Sequence, residues 1–384
     1  MSLPWTLMAL LAATGPPNVR QAPFAAVATA ATNVRAGPEL RFPVVGLLHR
    51  GARVEVTSCV PDCNSEGAWG WLGTDGAVRL ALLLPSDEGG SEIPPEPTHL
   101  IHGKVLGTAA AIYALPDVHA RVLRREPGGR VLAFAERLDL LGSGWLDWMH
   151  GGFVAVSAVR LATGSTLEGE KNPHVPLAFL RQRMEIKDAS RATWVERYSR
   201  YPVLALDLKR VELSVGAVPK TRVRIAYARP RPDGVPAGAR WVHVDLNEEI
   251  LTAYEGDSLV FATLVSTGTR LHPTRTGLFR VWYKGLHDLM HGEGYFVDEV
   301  PDVLYFHGGE ALHAAFWHEH FGSPVTHGCV NLSPADAAWL FDWAPPVMPA
   351  GWHSRMPGAG DEALFVRVER APPGPPPFND TTLR

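Results

Sequence analysis

The sequence predicts a mostly β chain, built from several small modules with only a few short helices. Three observations point there. The chain holds 37 Gly and 33 Pro in 384 residues, which is high for a helical bundle and suits short strands joined by turns. Apolar and polar residues alternate between those turns, as in Ala52-Arg53-Val54-Glu55-Val56 and Val242-His243-Val244-Asp245-Leu246. The length itself is a prior for two or three domains. At 46% hydrophobic and 20% charged, the chain can bury a core, so wholesale disorder is excluded. A net charge of −4, from 36 Lys+Arg against 40 Asp+Glu, argues against nucleic acid as a partner, which needs a clustered basic surface. No apolar run reaches the roughly 18 residues of a spanning helix, so no integral membrane segment is expected.

Residues 1–29 read as a signal or flexible N-terminus. Leu7 to Ala13 (LMALLAA) has the size of a signal h-region, and Ala26-Val27-Ala28 offers a small-residue site. Against this, no Lys or Arg precedes Arg20. Cys59 and Cys63 (CVPDC) lie in a turn rich in Pro, Asp, Asn and Ser. A disulfide there fits an oxidising compartment. A zinc half-site lacks a second Cys pair, and two unpaired thiols are the plain alternative. Three cysteines are too few for a disulfide scaffold. Export to the periplasm or cell envelope is the expected localisation.

Residues 30–84 read as a small all-β barrel. Their order, Asn33-Val34-Arg35-Ala36-Gly37-Pro38, Pro43-Val44-Val45-Gly46, Ala52 to Val56 and Trp69-Gly70-Trp71-Leu72, resembles bacterial SH3-like (SH3b) domains over about fifty residues. A Pro/Glu/Gly-rich linker spans 85–103. Residues 104–164 read as a degenerate second copy. Ile112 to Pro116, Gly129 to Phe134 and Gly144-Trp145-Leu146 stand where the first copy has Val34 to Pro38, Gly51 to Val56 and Gly70-Trp71-Leu72. Tryptophan in such barrels is more often core than a stacking platform. Residues 165–238 connect onward, with a helical piece expected near 176–200 and strands near 202–228. Their basic residues, including Arg181, Arg183, Lys187, Arg191, Arg197 and Arg200, read as a solvated face. Residues 371–384 (APPGPPPFNDTTLR) read as a disordered Pro-rich tail.

From Trp241 the pattern sharpens into hairpin sequence, hence a mostly antiparallel sheet. Within it lie Leu312-His313-Ala314-Ala315-Phe316-Trp317 and then Thr326-His327-Gly328-Cys329-Val330-Asn331. This resembles the L,D-transpeptidases of the YkuD fold, whose signature is a His, a spacer, and (Ser/Thr)-His-Gly-Cys-hydrophobic-Asn. The likeness includes Val265-Ser266-Thr267-Gly268 and Pro273 to Phe279. It implies a YkuD-type β-sandwich catalytic domain over 239–370. His313 and Cys329 stand 16 positions apart, slightly closer than in many members, and Ala314 replaces a Ser of several relatives. The resemblance gives Cys329 the nucleophile's role, His313 the base's, and His327 a structural-catalytic one. It also matches Tyr295 to a lid tyrosine of mycobacterial-type members; a plain hairpin tyrosine is the other reading. Asn331 and Trp317 are candidate substrate contacts.

The chemistry is consistent with these residue types. The thiolate is the nucleophilic form of cysteine, and an unperturbed Cys is mostly protonated near pH 7. An imidazole can take that proton and return it to a leaving amine. Gly328 lets substrate approach the backbone, and Thr326 belongs to the same loop. The amides of His327, Gly328 and Cys329 then face a developing oxyanion. Ser333-Pro334-Ala335-Asp336 reads as a helix start, with Ser as N-cap and Pro at the first position. Seven histidines between 287 and 327 raise a metal site centred on His318-Glu319-His320, if these share a strand face. A free thiol nearby would capture such a metal, so a His-rich rim is preferred, with no metal.

The resemblance thus implies an enzyme acting on peptidoglycan tetrapeptide stems without cofactor. Its Cys329 would be acylated with loss of D-Ala, and a neighbouring stem would resolve the intermediate into a 3→3 cross-link. Water as acceptor would make an L,D-carboxypeptidase, and a protein amine would make a lipoprotein anchor. From another class, a non-catalytic wall-binding protein is opposed by the intact motif.

Overall fold

The computed structural model describes residues 20–88, 93, 97, 99–140, 143–187 and 192–372. The signal-like run, the middle of the 85–103 linker apart from residues 93 and 97, Arg191 and the tail beyond Pro372 lie outside the described residues. The chain is mostly β, and its one α-helix among the described residues is Pro334–Trp343. No helix among them is long and apolar enough to cross a membrane.

Two units divide the chain, at residues 1–96 and 97–384. The first is all short strands. Phe24–Ala28 pairs with Arg53–Val56 and with Leu83–Pro85, so residues 24–28 are sheet and not a flexible terminus. The reason is burial: Ala26, Val27 and Ala28 are fully enclosed. Ser58–Val60 pairs with Trp69–Trp71, and Cys59 and Cys63 are joined by a disulfide across the turn beside that pair. Alkylation without reductant should therefore label one cysteine, Cys329, by mass. Three labels in protein from the native compartment would contradict the bridge.

In the second unit, seven strands from Ile101–Val105 to Val159–Leu161 make a small module. Its Trp145 and Trp148 are core. Between 165 and 238, strands stand where they are expected near 202–228, whereas the helical piece expected near 176–200 is strand among the described residues. Leu177–Leu180, Arg200–Leu206, Arg210–Leu213, Gly216–Pro219 and Val223–Ala226 form a five-stranded sheet, and Met184–Lys187 pairs with Ala192–Val195. Leu177, Ala178, Phe179 and Leu180 are all buried, so this stretch is enclosed on both faces of a sheet. A single local ending recurs three times along the chain. A strand leads into a 3₁₀ turn and straight on to another strand, at Leu80–Leu82, Val156–Ala158 and Lys220–Arg222.

The C-terminal part is a two-sheet sandwich. One sheet runs, in spatial order, Glu170–Lys171, Ser258–Leu264, Ile250–Glu255, Arg240–Asp245, Phe365–Glu369, Gly277–Arg280. The other is built on a long hairpin, Tyr283–Gly292 with Tyr295–His307. Glu310–Ala314 continues it antiparallel, and Val330–Leu332 lies parallel beyond. Trp352–Arg355 pairs on the far side, with Tyr283–Gly292. Val242, Val244, Leu251 and Phe261 of the first sheet meet Leu304, Phe306, Leu312 and Val330 of the second, with Leu340 and Phe341 of the helix between. Burying a side chain of this kind stabilises by about 1.5–3 kcal/mol before entropy is counted, so the core fixes the second sheet's position. The helix starts as its sequence predicts: Ser333 Oγ accepts from Asp336 N at 3.2 Å, with Pro334 at the first turn. The 101–161 module docks on the hairpin, where Val131 pairs in parallel with Val297.

Candidate active site

The catalytic-looking loop, 326–329, is held from both ends. Thr326 N donates to Thr267 O at 3.0 Å, and Asn331 N to Ser266 O at 2.8 Å. Thr326 Oγ1 donates to Cys329 O at 2.6 Å and accepts from Gly328 N at 3.1 Å, so one hydroxyl closes the turn. The Gly328 amide is therefore engaged by Thr326, unlike the free oxyanion donor expected from the sequence. Gly328 has φ +124°, a backbone region that side chains other than glycine's rarely adopt. Gly268 is required for space: a Cβ there would lie 2.2 Å from His272 O.

Thr267 is anchored in turn by Glu249, whose carboxylate accepts from Thr267 N at 2.8 Å and Oγ1 at 2.6 Å. Burial raises the Glu249 carboxyl to about 7 despite those bonds. Sequence reasoning missed this residue, because nothing in Asn247-Glu248-Glu249 separates a buried anchor from a turn acid.

His313 stands on the Glu310–Ala314 strand opposite Asn331. Side chains two apart share a strand face, so Cys329, just ahead of the neighbouring strand, falls on the same side one step along. His313 is 2% exposed. Its Nδ1 lies 2.9 Å from Ala314 O; a carbonyl can only accept, so Nδ1 carries the proton and Nε2 keeps its lone pair. Ala314 thus serves through its backbone, as the replacement of Ser requires. Trp317 stacks on the imidazole at 5.8 Å between centroids. Cys329 is partly exposed to a cavity of about 620 Å³. Its Sγ sits 3.7 Å from Gly309 O, and no hydrogen bond joins it to His313 among the described residues. Such contacts are often open without substrate.

Both groups are neutral at pH 7. Burial pushes the thiol up to about 11 and the imidazole down to about 4. A preformed thiolate–imidazolium pair is thus disfavoured, and proton transfer has to accompany attack. Iodoacetamide should alkylate Cys329 slowly at pH 7 and faster as pH rises toward about 11; a rate already level at neutral pH would contradict this. His313 has its folded value below its unfolded 6.5. The stability that depends on its neutral form is complete above pH 6.5 and is lost as pH falls toward about 4.

The remaining candidates divide. Tyr295 opens the second strand of the hairpin rather than sitting in a loose loop, because Gly292-Glu293-Gly294 make a tight reversal. Its ring lies 5.0 Å from that of His327, and His327 lies 4.8 Å from His272. His327 is exposed at this rim, away from the buried His313. Asn331 is buried with its side-chain amide 3.0 Å from His318 Nε2, and its Oδ1 has no partner. His318-Glu319-His320 is not a strand. The His318 and His320 rings stack 5.9 Å apart, while Glu319 is taken by Ser165 Oγ and Tyr198 OH. These three do not converge on one point. The cavity also has a wall unforeseen from the sequence, from Lys104, Arg160 and their neighbours in the 101–161 module.

A thiol and a tautomer-fixed imidazole thus line one cavity of a β-sandwich. Residues 239–355 match the family model of the YkuD L,D-transpeptidase catalytic domain, and the chain contains a domain of that family. No curated protein matches the chain. Among solved structures it is similar to an L,D-transpeptidase from Stackebrandtia nassauensis at 23% identity, covering 38% of this chain and 60% of that one, with a TM-score of 0.28. A mutant L,D-transpeptidase of Enterococcus faecium matches at 20% identity, over 35% and 50% of the two chains, TM-score 0.28. An L,D-transpeptidase from Mycobacterium smegmatis matches at 18%, over 55% and 89%, TM-score 0.29. The chain thus spans 60% and 50% of the first two structures.

Proposed function

We propose that the protein is an exported peptidoglycan L,D-transpeptidase working through a Cys329 acyl-enzyme. The observation that carries the reading is the His313 tautomer: Nδ1–H is committed to Ala314 O, so Nε2 is the atom left to accept the thiol proton. In the reaction, Cys329 Sγ attacks the carbonyl of the L,D bond after the stem's diamino acid while Nε2 takes the S–H proton. The tetrahedral intermediate collapses, the C–N bond breaks, and the imidazolium returns the proton to the departing D-Ala amine. A thioester remains on Cys329. The amine of a second stem then attacks it, giving a 3→3 amide and the free thiol. No metal or organic group takes part in these steps.

Lys104 and Arg160 line the same cavity with exposed cationic ends, which suits the carboxylates of an acidic stem. The Cys59–Cys63 disulfide supports an oxidising compartment, hence the periplasm or cell envelope. Incubation with purified disaccharide-tetrapeptide should release D-Ala and give a 3→3 dimer by mass spectrometry. Tripeptide alone would make water the acceptor; no turnover would favour a wall-binding role.

The hairpin tip bears on that ratio. An acyl-enzyme meant for an amine has to be shielded from water, and Tyr295 and His327, with rings 5.0 Å apart, line the same cavity as Cys329. Removing the Gly292-Glu293-Gly294 reversal should raise the ratio of tripeptide to dimer while acylation persists. Tyr295→Phe should do less, since only a hydroxyl is lost. An unchanged ratio with lower turnover would mean the tip binds substrate without gating water.

A further inference from the structure

A second cluster lies where the 101–161 module meets the hairpin. Register along the hairpin shifts between Asp288↔Val300 and Met290↔Val297, so Asp298 and Glu299 together oppose Leu289. This is a bulge on the Tyr295–His307 strand. Glu299 has φ +47°, a left-handed value uncommon for a residue other than glycine. A regular strand would send neighbouring side chains to opposite faces. Here both carboxylates approach one imidazole instead. His150 Nε2 lies 2.9 Å from Asp298 Oδ1 and 3.7 Å from Glu299 Oε1. The three ligand atoms all fall within 4.8 Å of one another.

The other oxygens are already held. Asp298 Oδ2 accepts from Trp148 Nε1 at 3.2 Å and from Ala133 N at 3.4 Å. Glu299 Oε2 is bonded by His287 Nδ1, and Glu299 O by His102 Nε2 at 3.0 Å. Each carboxylate therefore has one oxygen fixed from behind and the other turned to His150, the outer-contact pattern of a metal site.

We propose that His150, Asp298 and Glu299 bind one divalent transition-metal ion, zinc by class. A ligand nitrogen with two carboxylate oxygens selects zinc-like ions over magnesium or calcium, which prefer oxygen alone. Tetrahedral bonds of about 2.0–2.2 Å place ligand atoms roughly 3.3 Å apart. The separations from His150, 2.9 and 3.7 Å, straddle that value, and the two carboxylate oxygens, within 4.8 Å of each other, have to close by up to about 1.5 Å to share the ion. Binding releases any proton on His150 Nε2 to solvent, two carboxylates neutralise the ion's charge, and water completes the shell. The ion would clamp the Met149-His150-Gly151 turn to the strand whose first residue is Tyr295, and Val297 and Val300 on either side of the two acids belong to the cluster against which Cys329 packs.

The test is Co²⁺ titration of the metal-free full chain, carrying Cys329→Ser so that the active-site thiol cannot bind, read by visible absorption and reversed with Zn²⁺. One equivalent of Co²⁺ should bind. His150→Ala, which removes a half-exposed side chain, should abolish the signal with the far-UV spectrum unchanged. Asp298→Asn should abolish it too, while its amide oxygen can still accept from Trp148. His287→Ala should weaken binding by about ten- to a hundredfold. No bound metal, or binding untouched by both His150→Ala and Asp298→Asn, would overturn the proposal.

Discussion

Cys329→Ala is expected to give no covalent adduct with a carbapenem, where the native chain gains one adduct mass. The other two cysteines are joined to each other, so Cys329 is the free thiol among the described residues. Covalent catalysis separates bond formation from recognition. The cavity walls from Trp317, Phe316 and the 101–161 module do not depend on the sulfur, so noncovalent binding of the stem should survive. Cys329 packs only at the edge of a cluster containing Val131, Val300 and Ala311; losing one sulfur there should leave the fold intact. An adduct on the alanine variant would remove Cys329 from the reaction.

His313→Ala should lower kcat by roughly 10²–10⁴-fold with little change in KM, the range for loss of a positioned general base. The thiol raised to about 11 makes this dependence strong, since little thiolate forms without a partner to take its proton. The imidazole is buried and stacked on Trp317, so the variant also leaves a cavity, and its melting temperature has to be measured alongside. His318→Ala and His320→Ala, in the segment beyond the His313 strand, should be mild by comparison. Equal losses for His318→Ala and His313→Ala would assign the base wrongly.

Much of this was legible in short-range chemistry. Ser333, Pro334 and Asp336 announce a helix start because capping is settled within four residues, and the structure has it there. Thr326 to Asn331 is legible for a similar reason: a hydroxyl, a glycine with left-handed freedom and a thiol are needed in a fixed order to close that turn. Residues 177–195 were not legible. Arg181, Arg183 and Lys187 gave the stretch a helix-like mix of charge and apolar residues, yet Leu177 to Leu180 are strand because flanking strands enclose both their faces. A third strand–3₁₀–strand ending at Lys220–Arg222 went unseen for want of the Gly-Trp pair that marks the first two modules. Glu249 and the Asp298–Glu299 bulge depend on contacts with residues from 12 to 197 positions away, and no local pattern carries that. Tyr295 reads from the sequence as a lid tyrosine or a plain hairpin tyrosine, and the structure has it opening a hairpin strand; Gly-Glu-Gly reads equally as a hinge or as a tight reversal.

The central claim is that Cys329 carries the acyl group between donor and acceptor. Acid quenching of the native enzyme with tetrapeptide donor alone, followed by peptide mapping, tests it directly. The account predicts the tripeptide acyl mass on the peptide containing Cys329, labile to hydroxylamine as a thioester is, with D-Ala released in equal amount. D-Ala released with no adduct on that peptide, or an adduct carried by another residue, would contradict it.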